Sequence, residues 1–373
     1  MSQAAAELHG RVADGFERVA DEFRATVDGP GAAFAATVEG ELVVDVWSGA
    51  ADEAGAPWRE DTLVLIFSGT KGLVAVCLLL LAERGLLDLD APVSRYWPEF
   101  AAAGKEGVLV RHVVSHEAGL PGLLPPVTAA ELLDGDGMAA RLAAVTPFWE
   151  PGTRLAYHAL TFGWLCAELV RRIDGRSLGT FFADEVASPL GLDLWIGLPP
   201  ELEDRVATLR REEDFGITFV GDEPEPLLAA LYGGLLDGFV WNEPAYHETE
   251  IPGANAIGTA RSIARLYGCL ACGGAPLLSA ETVRLGRTEL SRGPCAVTRR
   301  PYAFGFGFEL QTELLTFGPP ADAFGHTGSG GSRHGAWPER RTGFSYAMSE
   351  LRSEEGDDRG RRILAALAKA AAR

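Results

Sequence analysis

The most apolar segment of this 373-residue chain runs from Leu63 to Ala82 and is broken once, by Ser68-Gly69-Thr70-Lys71-Gly72. Its second half, Leu73 to Ala82, is an uninterrupted apolar run of ten residues, closed by Glu83, Arg84 and Gly85. A bilayer span needs about 20 such residues, so the run reads as a buried core helix. Lysine is out of place there. The chain has three lysines, Lys71, Lys105 and Lys369, against thirty arginines. A guanidinium keeps its proton in a protein, whereas a desolvated amine can become a neutral base. A chain that otherwise uses arginine, yet sets a lysine in its most apolar segment, points to proton chemistry at Lys71. Lys105 and Lys369 are expected on the solvated surface.

Ser68 lies three residues before Lys71. On a helix these positions share a face, so hydroxyl and amine can touch. At a helix N-terminus, unpaired N–H groups and the helix dipole also favour negative charge. A serine hydroxyl is a poor nucleophile until a neighbouring base takes its proton. Ser68 and Lys71 are therefore candidate nucleophile and base.

With 33 basic and 52 acidic residues the formal net charge is −19. That balance argues against nucleic acid or an anionic membrane as the main partner, since both need clustered positive charge. The five cysteines are odd in number and scattered, as expected of reduced thiols in a cytoplasmic protein. The Cys269–Cys272 pair sits in a helical pattern and reads as buried thiols rather than a metal or redox site. His112 and His116 have helical metal spacing, but Val113 stands where HExxH needs Glu; they read as structural. No metal or cofactor is expected. The first residues mix charged and apolar positions without a secretory apolar core, which again predicts a cytoplasmic location.

Residues 7–26 read as an amphipathic helix, followed by a hairpin of Ala33–Val38 and Glu41–Trp47 turning at Glu39-Gly40. Helical patches separated by Pro/Gly turns follow, among them Ala129–Ala144, Leu160–Ile173 and Leu178–Val186. The acidic stretch Arg210–Pro226 reads as a surface connection. Residues 256–272 are helical. Gly-punctuated strands come after residue 300: Tyr302–Leu310, Ala323–Trp337 and Gly343–Leu351. A terminal helix spans Asp358–Ala372. Strands at both ends predict an α/β (α+β) fold. Residues 1–66 and 250–373 would form an antiparallel sheet domain flanked by helices, and 67–249 an inserted, mostly helical domain. The catalytic cleft would lie between them.

Ser68-x-x-Lys71 is similar to the first motif of serine β-lactamases and penicillin-binding proteins. Further segments agree, in order. They are Val110 to Pro121, Phe148 to Thr153 followed by Tyr157, Ser188 to Leu192, Gly253-Ala254-Asn255 with Thr259-Ala260-Arg261, and Gly305-Phe306-Gly307. The last is Gly325-His326-Thr327-Gly328-Ser329-Gly330-Gly331. The chain resembles the class C β-lactamase-like superfamily over roughly residues 10–370. The resemblance implies an acyl-enzyme on Ser68, with Lys71 and Tyr157 sharing the acid and base work. The Ser68 and Ser329 amides would form the oxyanion hole, and the nearby charge would lower the Tyr157 pKa. His326, Thr327, Gly328, His158 and Trp149 are expected to contact substrate. Trp241, Phe162 and Trp337 flank the motifs as further candidates for an acyl or aromatic pocket.

Two departures narrow the function. Tyr157-His158-Ala159 replaces the Tyr-x-Asn of β-lactamases, and His326-Thr327-Gly328 replaces Lys-Thr-Gly. A neutral histidine grips a substrate carboxylate less strongly than an ammonium does. The pattern resembles family VIII carboxylesterases and related acyltransferases. The expected reaction is hydrolysis of small-molecule esters. The alternatives are transfer of the acyl group to a small-molecule amine or alcohol, D-aminopeptidase or amidase activity, weak β-lactamase activity, or a non-catalytic acylated sensor or binding protein.

Overall fold

In a computed structural model that describes residues 7–213, 215–216, 227, 230–232, 239–354 and 356–372, the two ends of the chain meet in one nine-stranded antiparallel sheet. Three strands come from the N-terminal part: β1 (His9–Val12), β2 (Ala32–Val38) and β3 (Glu41–Ser48). Strands β4 (Val64–Leu65), β5 (Leu194–Trp195) and β7 (Ile257–Gly258) form a small separate sheet. β6 (Arg210–Arg211) pairs in parallel with β14 (Glu350–Leu351). The rest of the large sheet is β8 (Ser291–Pro294), β9 (Pro301–Phe304), β10 (Glu309–Leu310), β11 (Phe324–Thr327), β12 (Arg333–Trp337) and β13 (Thr342–Met348). Its order is β1-β3-β2-β13-β12-β11-β10-β9-β8.

Six helices of eight or more residues occur among the described residues. They are α1 (Glu17–Arg24), α2 (Thr70–Glu83), α3 (Gly135–Ala144), α4 (Thr161–Asp174), α5 (Ala260–Ala271) and α6 (Arg359–Ala370). The period-2 pattern of the central strands sorts them onto faces. Thr37 and Gly343 face α5, and a Cβ on Gly343 would come within 2.1 Å of the Gly268 amide nitrogen. Bare glycines there let helix and sheet backbones touch. The larger Phe34 and Tyr346, paired in register and fully buried, face the opposite side. There α1 and α6 pack against each other.

Two sequence expectations need correction. Residues 9–12 form strand β1 along the sheet edge, leaving only Glu17–Arg24 helical in the N-terminal segment. The exposed His9, Gly10 and Arg11 pair with Trp47, Val46 and Asp45, so sheet pairing overrides the helical spacing. Lys105 is fully buried rather than solvated. Its ammonium caps the carbonyls of Ala102, Ala143 and Val145, ending two helical segments. Part of the Arg210–Pro226 stretch lies outside the described residues. Cys269 and Cys272 are half-buried, and all five cysteines are free thiols. No described helix is long and apolar enough to cross a membrane.

Replacing Lys105 with Met keeps its apolar volume and leaves three carbonyls unpaired. Each orphaned group costs about 1–3 kcal/mol. Denaturant unfolding of Lys105→Met should show a loss of about 3 kcal/mol, with kcat/KM unchanged.

Candidate active site

The hinge of the site is the turn that precedes α2. Residues Phe67–Gly69 make a 3-10 turn, and α2 starts at Thr70. Phe67 adopts φ 47°, a left-handed conformation that costs a non-glycine residue about 1–2 kcal/mol. Burial of its ring, edge-on to Trp241 at 5.5 Å, holds it there. Ile66 N donates to Ala256 O (2.9 Å), and Ala256 N donates back to Thr70 Oγ1 (2.8 Å). Ser68 is thus fixed on a strained turn at the mouth of a cavity, which it lines with Tyr157 and Ser329.

Lys71 sits one turn on and is completely buried. Its Nζ lies 2.7 Å from Ala159 O, 2.6 Å from Gly253 O and 3.1 Å from Ser68 Oγ. Desolvation pushes its pKa down to about 7 against the weaker opposing pull of the Glu309 carboxylate. A shift from 10.5 to about 7 is about 5 kcal/mol against the charged form.

Both carbonyls come from irregular backbone. Asn255 shapes the 249–255 loop by accepting from Ile251 N (2.9 Å) and donating to the Tyr246 and Thr249 carbonyls. The 153–160 segment is pinned from two sides. His116 accepts the His158 amide on Nδ1 (3.0 Å), and Cys295 Sγ accepts the Tyr157 amide (3.3 Å). The Lys71 amine lies 4.9 Å from the Tyr157 ring centroid, and Tyr157 lines the cavity together with Ser68. Burial pushes the Tyr157 pKa well up and outweighs the lowering influence of nearby Ser68. This reverses the expected lowering, because desolvation penalises the phenolate more than the neighbouring groups favour it.

Gly328 brings the third segment in. A Cβ there would lie 2.2 Å from Ile66 O, so only glycine lets the end of β11 dock on the turn carrying Ser68. Thr327, Gly328 and Ser329 all line the cavity. His326 does not. Alternation along β11 turns it toward α2, where it is 1% exposed and 6.1 Å, ring to ring, from Tyr157. Burial drives its pKa to about 3, so it is neutral. His158 is also buried away from the cavity: Nδ1 donates to Ala156 O (2.6 Å) and Nε2 accepts from Leu120 N (3.2 Å). Trp149 packs behind Tyr157 without reaching the cavity, and Trp241, Phe162 and Trp337 are core. The aromatic lining is instead Phe67, Tyr157, Tyr232 and Tyr302.

Sequence reasoning missed the Ala159 and Gly253 carbonyls, since a backbone acceptor has no residue signature. It also missed Arg300, Tyr302 and Glu354 on the cavity wall. Among thirty arginines, Arg300 gave no signal of its own. No group of three or more described His, Cys, Asp or Glu residues is arranged to hold a metal ion.

Comparison with known proteins gives a consistent picture. A model of the Beta-lactamase family matches residues 16–368. The esterase/beta-lactamase LipL of Mycobacterium tuberculosis is 39% identical over 337 residues, 85% of this chain and 76% of that protein. A penicillin-binding protein homologue from Caulobacter crescentus superposes with a TM-score of 0.92 at 36% identity, covering 98% of this chain and all of the other. A family VIII carboxylesterase superposes with a TM-score of 0.89 at 39% identity, over 98% of this chain and all of the other.

Lys71 has a folded pKa of about 7 and an ordinary value of 10.5. Between those values the unfolded chain binds more protons than the folded one, so this group's destabilising effect shrinks as pH rises. The Tm of Lys71→Met minus that of the wild type should therefore stay nearly level up to about pH 7 and fall from there to about pH 9 when both are scanned. A gap independent of pH would mean that Lys71 titrates normally.

Proposed function

As a member of the β-lactamase family this chain is a serine hydrolase, and we propose that it cleaves small-molecule carboxylic esters through an acyl-enzyme on Ser68. One observation carries the reading. A neutral lysine amine has two N–H donors and one lone pair. Ala159 O and Gly253 O lie where the two donors can be used, and Ser68 Oγ at 3.1 Å is where the lone pair can accept. An ammonium would instead direct its third donor at Ser68 Oγ and would have no lone pair to take the hydroxyl proton.

Ser68 Oγ attacks the ester carbonyl and its proton passes to Lys71. The Ser68 and Ser329 amides hold the oxyanion, each worth on the order of 3 kcal/mol. Tyr157, kept protonated by burial, gives its proton to the leaving alkoxide. The lysine proton then restores the phenol. Water repeats the sequence in the second half, releasing the acid and freeing Ser68. The Thr327 and Gly328 edge would seat the substrate beside Ser329, between the aromatic wall and the turn.

Neutral esters fit better than carboxylate-bearing β-lactams. The third motif here carries a buried, uncharged His326 where an ammonium would grip a carboxylate. A structural neighbour named as a family VIII carboxylesterase supports an ester substrate, and the name of LipL includes esterase as well as beta-lactamase.

Intact-protein mass spectrometry with a fluorophosphonate should add one label, on Ser68, and p-nitrophenyl butyrate should turn over. Lys71→Arg should lose about 10²-fold or more in kcat/KM although charge is kept, because a guanidinium is no base. In the wild type kcat/KM should rise with pH through about 7, as Lys71 loses its proton. A label on another residue, or an active Lys71→Arg, rejects the mechanism.

A further inference from the structure

One buried charge cluster beside the cavity has no part in the steps above. Glu309 and Arg300 expose 2% and 5% of their side chains, and Arg300 Nη1 donates to Glu309 Oε1 over 2.9 Å. The other Glu309 oxygen accepts from Thr327 Oγ1 at 2.9 Å and faces the Thr327 amide at 3.4 Å. Arg300 Nη2 also donates to Glu354 (2.7 Å), which lines the cavity. Its guanidinium lies 4.5 Å over the Tyr302 ring, and Tyr302 stacks on Tyr157 at 5.2 Å and 13°. The Arg300 carbonyl accepts the Cys295 amide (2.9 Å), and Cys295 in turn accepts the Tyr157 amide.

A buried ion pair contributes little net stability, because desolvation offsets the attraction. This one does something that packing alone would not. It ties the strand leading to Ser329 to the segment carrying Tyr157. We propose that Glu309 and Arg300 are a positioning pair for acylation, Glu309 clamping Thr327 and the backbone beyond it, and Arg300 pressing Tyr302 against Tyr157. The proposal rests on the Ser68 acyl-enzyme reading, and neither residue touches the reacting atoms.

The Glu309 carboxylate has a second reach. It favours the charged form of Lys71, against desolvation. Lys71 is also faced by Ser68, by Tyr157, by Cys166 on α4, by His326 on β11, and by His116 and His158. Burial keeps the three histidines, Cys166 and Tyr157 uncharged near neutral pH. Around Glu309 itself stand Arg300 and Thr327, with Tyr157, Tyr267 and Tyr302 in its field. Removing the carboxylate charge therefore lowers the Lys71 pKa, and the acid limb of acylation moves to lower pH.

The full chain is tested as Glu309→Gln and as Thr327→Val, which keeps shape but removes the hydroxyl that Glu309 accepts. Acylation of Ser68 by p-nitrophenyl acetate is followed by rapid mixing between about pH 5 and 9, with mass spectrometry and thermal unfolding alongside. Glu309→Gln should acylate about tenfold or more slowly with little change in KM, and its acid limb should lie below that of the wild type. Thr327→Val should slow acylation and leave the limb in place. A folded Glu309→Gln with wild-type rate and unmoved limb overturns the proposal. If Glu309→Gln does not fold, wild-type acylation by Thr327→Val overturns it. A wild-type protein that forms no adduct on Ser68 overturns the acyl-enzyme reading itself, and this proposal with it.

Discussion

The Lys71 amine is desolvated on every side, and two carbonyls fix where its proton-accepting side can point. Ala159 O and Gly253 O belong to residues 88 and 182 positions further along the chain, so the contact assembles three remote pieces of backbone. Desolvation disfavours the ammonium by about 5 kcal/mol, judged from a pKa of about 7. A hydrophobic residue would fill the same space without that cost. The arrangement makes physical sense as a site whose chemistry matters more than its stability.

The remainder of the architecture serves that contact. The nine-stranded sheet fixes β11, whose end docks on the Ser68 turn through Gly328. Tyr157 is fixed from two sides, by Cys295 just after β8, which accepts its amide, and by His116, which accepts the amide of the next residue, His158. Phe67 holds a left-handed turn against Trp241, so Ser68 faces the cavity and not the core. Burial then sets the protonation states: an amine that titrates near neutral pH, a protonated phenol and uncharged histidines.

Much of this was legible in the sequence because it follows from local pattern. The Glu39-Gly40 hairpin, the apolar run that becomes α2 and the strands after residue 300 all follow alternation or helical spacing. Ser68 and Lys71 stood out because a lone lysine in an apolar run conflicts with its surroundings, and such conflicts gather at functional sites. What failed depended on partners far along the chain. Residues 9–12 are a strand only because β3 lies beside them. Lys105 looked solvated because three carbonyl acceptors leave no trace in sequence. His326 and His158 were assigned to substrate from their motifs, yet the β11 register and the Leu120 amide turn them inward. Glu309, Arg300 and Tyr302 meet Thr327 and Tyr157 only once the sheet is formed.

The scarcity of lysine makes the central claim directly measurable. Protein labelled with 13C at the lysine ε-carbon gives signals from three side chains, Lys71, Lys105 and Lys369, and the one absent from Lys71→Met is Lys71. Its chemical shift should titrate with a midpoint near 7. A Lys71 resonance that stays in the ammonium position until the pH approaches 10.5, the ordinary lysine value, would contradict the account.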